Sequence, residues 1–179
     1  MGKERSNLIL IGFPSSGKST LGRTIAKKTG RSFIDLDQVI MQQEGRTLQQ
    51  ILDVEGDEGF LEIEHNTVLQ FHAENSVIAT GGSVPYFDDS MDHLRRQGIV
   101  VCLWISPETA ENRLWNLSDR GVVLPEGWTL RDLYEYRQKL YERACDVVVD
   151  VDDVSVRGAA DRILRVLNGD WPVRMKPSR

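Results

Sequence analysis

The eight residues Gly12-Phe13-Pro14-Ser15-Ser16-Gly17-Lys18-Ser19 have the types and the spacing to hold a chain of phosphates. They fit Gly-x-x-x-x-Gly-Lys-[Ser/Thr] without a mismatch, and the flanking sequence supplies the context that this pattern needs. Asn7 to Ile11 reads as a short buried strand and Ser19 to Thr29 as a helix. A turn from strand to helix points backbone N–H groups at an anion, and the positive end of the helix dipole adds to the attraction. Lys18 can then reach the outer phosphates while the Ser19 hydroxyl ligates Mg²⁺. Gly12, Ser15, Ser16, Gly17, Lys18, Ser19 and Thr20 are the candidate nucleotide contacts.

A pair of carboxylates comes next. Asp35 and Asp37 close the short apolar strand Phe33–Asp35, at the strand end where parallel α/β sheets place ligands. Two residues apart in extended chain, both can face one crevice. A divalent metal takes hard oxygen ligands, and a hydroxyl that gives up its proton needs an acceptor. The other reading of Asp37 is a cap for a helix over Gln38–Glu44. Thr80-Gly81-Gly82 follows a third apolar run, where glycines either let the backbone approach a ligand or make a plain tight turn. Asn116 to Trp128 is polar, contains Gly121, Gly127 and Pro125, and joins two helical patterns. It reads as a lid that closes over a phosphoryl-transfer site and excludes water.

Five apolar runs position these groups: Leu8–Ile11, Phe33–Asp35, Val77–Ala79, Val100–Ile105 and Val147–Val149. Residues apolar at consecutive positions suit strands covered on both faces, and the intervals are long enough for crossover helices. Ser106-Pro107 marks a helix start. Thr129 opens another helix that runs to about Ala144, with Leu130, Leu133, Tyr134, Arg137, Leu140 and Tyr141 on one stripe. Arg137 among such neighbours can reach into a cleft and grip a carboxylate with two parallel hydrogen bonds. It can also snorkel to water or pair with Glu142 or Asp146. A last helix spans Val156 to Asn168 with Gly169 as its cap, and residues 171–179 are expected to fray. The pattern predicts one domain over residues 1–179, a doubly wound three-layer α/β/α unit on a five-stranded parallel sheet, with a lid at about 116–128.

At 179 residues the chain can bury a full core without disulfides or structural metal. A net charge of −5 with no basic run argues against a nucleic-acid partner. No long apolar segment suggests a leader or a membrane span. Of the two cysteines, Cys102 sits inside an apolar run and reads as a buried reduced thiol, so a cytoplasmic protein is expected.

The order of these motifs resembles that of the shikimate kinase family, small ATP-dependent kinases of the nucleoside-monophosphate-kinase fold group. The resemblance covers about Leu8 to Leu167 and rests on Gly12–Thr20, Phe33-Ile34-Asp35-Leu36-Asp37, Glu55–Phe60, Ala79-Thr80-Gly81-Gly82, Arg113, Arg120 and Arg137–Tyr141. It implies ATP as donor and Mg²⁺ as its partner ion, and a small hydroxy acid as acceptor, best matched by shikimate phosphorylated at its 3-hydroxyl in aromatic amino acid biosynthesis. By the same resemblance Asp35 belongs to the magnesium water shell and Asp37 meets the accepting hydroxyl. Gly81 and Gly82 bind substrate, Arg113 lies near the nucleotide, and the lid residue Arg120 neutralises charge on the transferring group. Arg137 takes the acid group of shikimate. Lys18, Asp37 and Arg120 are thus the candidate catalytic residues, in a chain expected to act as a monomer.

Three departures from the family pattern stand out. Relatives carry an arginine after the phenylalanine of Glu-Gly-x-x-Gly-Phe, a second clamp on the substrate carboxylate, and this chain has Leu61. Losing a charged bidentate contact costs on the order of 2–4 kcal/mol of binding. The arginine's acidic partner persists as Glu64, and either His65 or Arg46 restores the charge or His65 is an ordinary packed histidine. Ser83 stands where relatives have a third glycine, and Arg120-Gly121-Val122-Val123 replaces Arg-Pro-Leu. Leu61 leaves two rivals open: a related kinase for another alcohol, such as a gluconate-type or nucleotide-type acceptor, or a nucleotide-binding regulator without transfer activity.

Overall fold

The computed structural model describes residues 6–114 and 122–168, so Arg120, the first part of the lid and Gly169 lie outside the described residues. Each of the five apolar runs is a strand: β1 (Asn7–Gly12), β2 (Ser32–Asp35), β3 (Ser76–Ala79), β4 (Gly98–Trp104) and β5 (Val147–Asp150). All pair in parallel, in the order β2-β3-β1-β4-β5. β1 is buried at every residue, which explains why it shows no alternation in sequence.

The helices are α1 (Lys18–Thr29), α2 (Leu36–Glu44), α3 (Leu48–Gln70), α4 (Asp88–Gln97), α5 (Pro107–Arg113), α6 (Leu130–Ala144) and α7 (Val156–Leu167). From β1 the chain moves outward to β2, returns to β3 beside β1, then crosses to β4 and β5 on the other side. Such a reversal leaves a crevice between the carboxyl ends of β1 and β3. Pairing of Leu10 with Ala79 and of Ile34 with Ile78 brings the residues after β1, β2 and β3 to one edge.

Two local details correct the reading of the sequence. Asp35, not Asp37, caps α2: its Oδ1 accepts the Asp37 backbone N–H at 3.1 Å, so Asp37 sits inside the first helical turn instead of in extended chain. Leu61, Glu64 and His65 lie on the second limb of α3, which begins at Leu48 behind a Thr47 capping box and bends at Gly56 (φ 69°). That glycine interrupts the apolar spacing, which hid the first limb from periodicity. Around the bend Ile40, Ile51, Phe60 and Val123 form a small second core, joined by Leu61.

The long core packs tightly enough to be sensitive to one methyl group. α1 buries Gly22, and a Cβ there would run into the Phe33 ring. Gly22→Ala gains about 1 kcal/mol of helix propensity but should lower stability by about 1–3 kcal/mol through overpacking. The midpoint of guanidinium unfolding, at unchanged slope, measures this. A midpoint at or above that of the parent would show that Phe33 yields freely.

Candidate active site

The loop after β1 is shaped before any ligand arrives. Ser15 (φ 68°) and Gly17 (φ 93°) both take left-handed backbone on either side of Ser16. Alternating backbone of this kind turns N–H groups into a concave anion nest, and a left-handed serine stores about 1–3 kcal/mol of strain. Gly12 is required by contact: a Cβ there would lie 2.7 Å from the Leu103 carbonyl oxygen of β4. Lys18 Nζ donates to the carbonyls of Gly12 (2.7 Å) and Phe13 (3.0 Å). Burial pushes the Lys18 pKa down to about 8, with nearby Asp37 opposing the shift.

The two aspartates have separate surroundings. Ser19 Oγ donates to Asp35 Oδ2 at 2.7 Å, while Asp35 Oδ1 caps α2, so that carboxylate is fixed at both oxygens. A hydroxyl and a carboxylate side by side fit a hard divalent cation whose remaining ligands are phosphates and water. Among the described residues no group of three acids, histidines or cysteines forms a cage for a metal held by protein alone. Asp37 is raised to about 6 by burial and by Asp35, with Lys18 opposing. It is ionised at neutral pH yet basic enough to take a proton.

A cleft of about 870 Å³ joins these groups. Ser15, Gly17, Lys18, Ser19, Thr20, Asp35, Asp37, Gly81, Gly82, Arg113 and Arg137 all border it, as the motifs suggested. Gly12 and Ser16, also candidate nucleotide contacts, are not among the residues that border it. Ser16 Oγ is buried and has no partner among the described residues. Arg113 Nη1 donates to the Ser15 carbonyl at 3.1 Å and ties α5 to the loop. Arg137, only 2% exposed, donates from Nε to the Tyr86 hydroxyl (2.8 Å) and from Nη2 to the Val123 carbonyl (3.3 Å). Its guanidinium carbon lies 5.2 Å from the Tyr86 ring centre. These hydrogen bonds run to neutral groups and not to Glu142 or Asp146, so the positive charge is available to the cleft.

The proposed substitutes for the missing arginine do not come to the site. His65 Nδ1 is 2.8 Å from Ser90 Oγ, its ring stacks on Phe87 at 4.2 Å, and it is the packed histidine of the alternative reading. Arg46 pairs with Glu44 (2.7 Å) and Glu55 (2.9 Å). Among the residues not chosen from sequence are Glu64, Thr80, Ser83 and Phe60, which border the cleft, and Tyr86, which holds Arg137. Glu64 had a signal, its place one turn after Leu61, but nothing in sequence showed that it is buried.

A phosphate loop, a half-buried carboxylate of raised basicity and a buried arginine around one crevice of a parallel sheet fit a kinase that transfers phosphate to an alcohol. The family model for shikimate kinase matches residues 14–168, and the chain belongs to the shikimate kinase family. It is 32% identical over 162 residues to a shikimate kinase of Thermodesulfovibrio yellowstonii, covering 89% of this chain and 93% of the relative. It is also 36% identical over 164 residues to human threonine synthase-like 1, covering 90% of this chain but 22% of that longer protein. A shikimate kinase from Acinetobacter baumannii, solved in complex with shikimate, superposes with a TM-score of 0.84 at 29% identity, covering 92% of this chain and 94% of that one.

These charges give the reaction a pH window. If Asp37 accepts the hydroxyl proton and Lys18 meets phosphate, activity requires a pH above about 6, where Asp37 is ionised, and below about 8, where Lys18 is charged. kcat/KM should therefore fall on both sides, and Asp37→Asn should lose about 10²- to 10⁴-fold in kcat while nucleotide affinity changes little. A profile flat across both limits would contradict the assignment.

Proposed function

We propose that this chain transfers phosphate from ATP to a small hydroxy acid, with shikimate, at its 3-hydroxyl, as the acceptor. One observation carries the reading. A Cβ on Gly81 would lie 3.1 Å from Asp37 Oδ1, and a Cβ on Gly82 would lie 2.9 Å from Arg137 Nη1. A hydroxyl acceptor and a carboxylate grip thus flank adjacent glycines, which suits one small molecule bearing both groups. Family membership and the shikimate held by the Acinetobacter relative support the same choice.

In this mechanism the loop amides and Lys18 hold the outer phosphates, and Arg113 steadies the loop from α5. Ser19 and Asp35 would hold Mg²⁺, which neutralises charge on the phosphates when bound. Asp37 orients the substrate hydroxyl and accepts its proton, while Arg137 grips the carboxylate. Arg120 is assigned to the transferring phosphoryl group by family resemblance, and the segment 116–128 to a lid that keeps water out. The chain is taken to act as a monomer with a single kinase domain over residues 1–179. No described helix is long and apolar enough to cross a membrane, and Cys102 and Cys145 are free thiols, which fits the reducing cytoplasm.

ADP release measured over shikimate, gluconate-type sugar acids, polyols and nucleosides tests the reading. Shikimate should stimulate release at least tenfold over the ATP-only rate. Stimulation by another alcohol alone would favour a kinase of different specificity. Tight MgATP binding without stimulation by any acceptor would favour a regulator.

A further inference from the structure

The departures Leu61 and Ser83 lie far apart in sequence but meet at Glu64. Leu61 precedes Glu64 by one helical turn, yet packs into the small core with Ile40, Ile51 and Phe60 and brings it no charge. Ser83 supplies a different partner, its Oγ donating to Glu64 Oε2 at 2.5 Å. The serine satisfies one oxygen only. Glu64 is 1% exposed, and its Oε1 has no partner among the described residues. That oxygen lies against Gly81: a Cβ there would overlap Glu64 Oε1 and approach Asp37 Oδ1. Glu64, Ser83, Gly81 and Asp37 all border the cleft.

A buried acceptor without a donor is costly, and a ligand that supplies the donor recovers the loss. We propose that Glu64 reads the substrate directly, accepting a hydrogen bond from a second donor adjacent to the hydroxyl served by Asp37. The site then selects a vicinal diol or vicinal amino alcohol that also carries a carboxylate for Arg137. Two acceptors flanking one glycine suit two neighbouring donors. Burial, aided by Asp37 and opposed by the Ser83 bond, raises the Glu64 pKa to about 7, so a donor that stabilises its ionised form also restores its charge.

The inference rests on the kinase reading of the cleft but not on shikimate itself. Its test compares kcat/KM for shikimate, the 4-deoxy analogue and the 4-amino-4-deoxy analogue in the parent, Glu64→Gln and Glu64→Ala, each checked for unchanged melting temperature and MgATP affinity. Removing the 4-hydroxyl should cost the parent about 10- to 100-fold, chiefly in KM, and cost Glu64→Ala about threefold or less. Glu64→Gln retains an acceptor oxygen and should fall between them. Recovery by the amino analogue beyond that of shikimate assigns the site to a cationic donor; equal or weaker recovery assigns it to a hydroxyl. An equal penalty in the parent and Glu64→Ala overturns the inference. If the parent ignores shikimate but phosphorylates another acid, the same comparison on that acceptor decides. A donor beside its phosphorylated hydroxyl sustains the role of Glu64 while shikimate falls, and an acceptor without one overturns that role while the kinase reading stands.

Discussion

Lys18 is half-buried in its own loop, where its ammonium donates to the carbonyls of Gly12 and Phe13, and such a charge must be balanced by what surrounds it. Asp37 and Asp35 provide that balance, and both arrive from β2 and the start of α2. The strand order that places β3 between β1 and β2 also brings the glycines after β3 against Asp37. Lys18, the two aspartates and the glycines after β3 are therefore one electrostatic unit at the sheet's carboxyl edge. Removing the lysine's charge would leave two close carboxylates uncompensated, which is why their properties cannot be assigned independently.

The two aspartates show how environment separates identical groups. Asp35 is held by a serine hydroxyl and a backbone amide, which suit it to a fixed ligand role. Asp37 has no such side-chain anchor among the described residues, and burial gives it the raised basicity that suits a proton acceptor. Glu64 extends the series: it is more deeply buried than either, with one oxygen tied to Ser83 and the other buried without a partner among the described residues. Arg137 supplies the opposing charge from α6, steadied by the face and hydroxyl of Tyr86. The site thus pairs one strongly held cation on each side with three acids between them.

Much of this was legible in the chain. The phosphate loop depends on backbone conformation within eight consecutive residues, so its residues alone specify it. The five strands were legible because burial on both faces leaves continuous apolar runs. The cap of α2 was misread between Asp35 and Asp37, because a two-residue shift changes which carboxylate meets the helix end without altering composition. α4 passed unnamed because Phe87 precedes it without a side-chain cap, and Gly56 concealed the first limb of α3.

The residues by themselves determined that a nucleotide-sized polyphosphate loop precedes a helix, that Asp35 and Asp37 follow the second strand, and that Arg137 lies on an apolar stripe. Only the tertiary structure decided what each charge meets. His65 turns to Ser90 and Phe87, Arg46 to Glu44 and Glu55, and Arg137 to Tyr86 instead of a nearby acid. It also brought Ser83 to Glu64 and left one oxygen of that acid without a donor. Backbone motifs are local and can be read in order along the chain. Partners of buried charges are set by how helices and strand ends pack, through contacts between residues that sequence keeps apart.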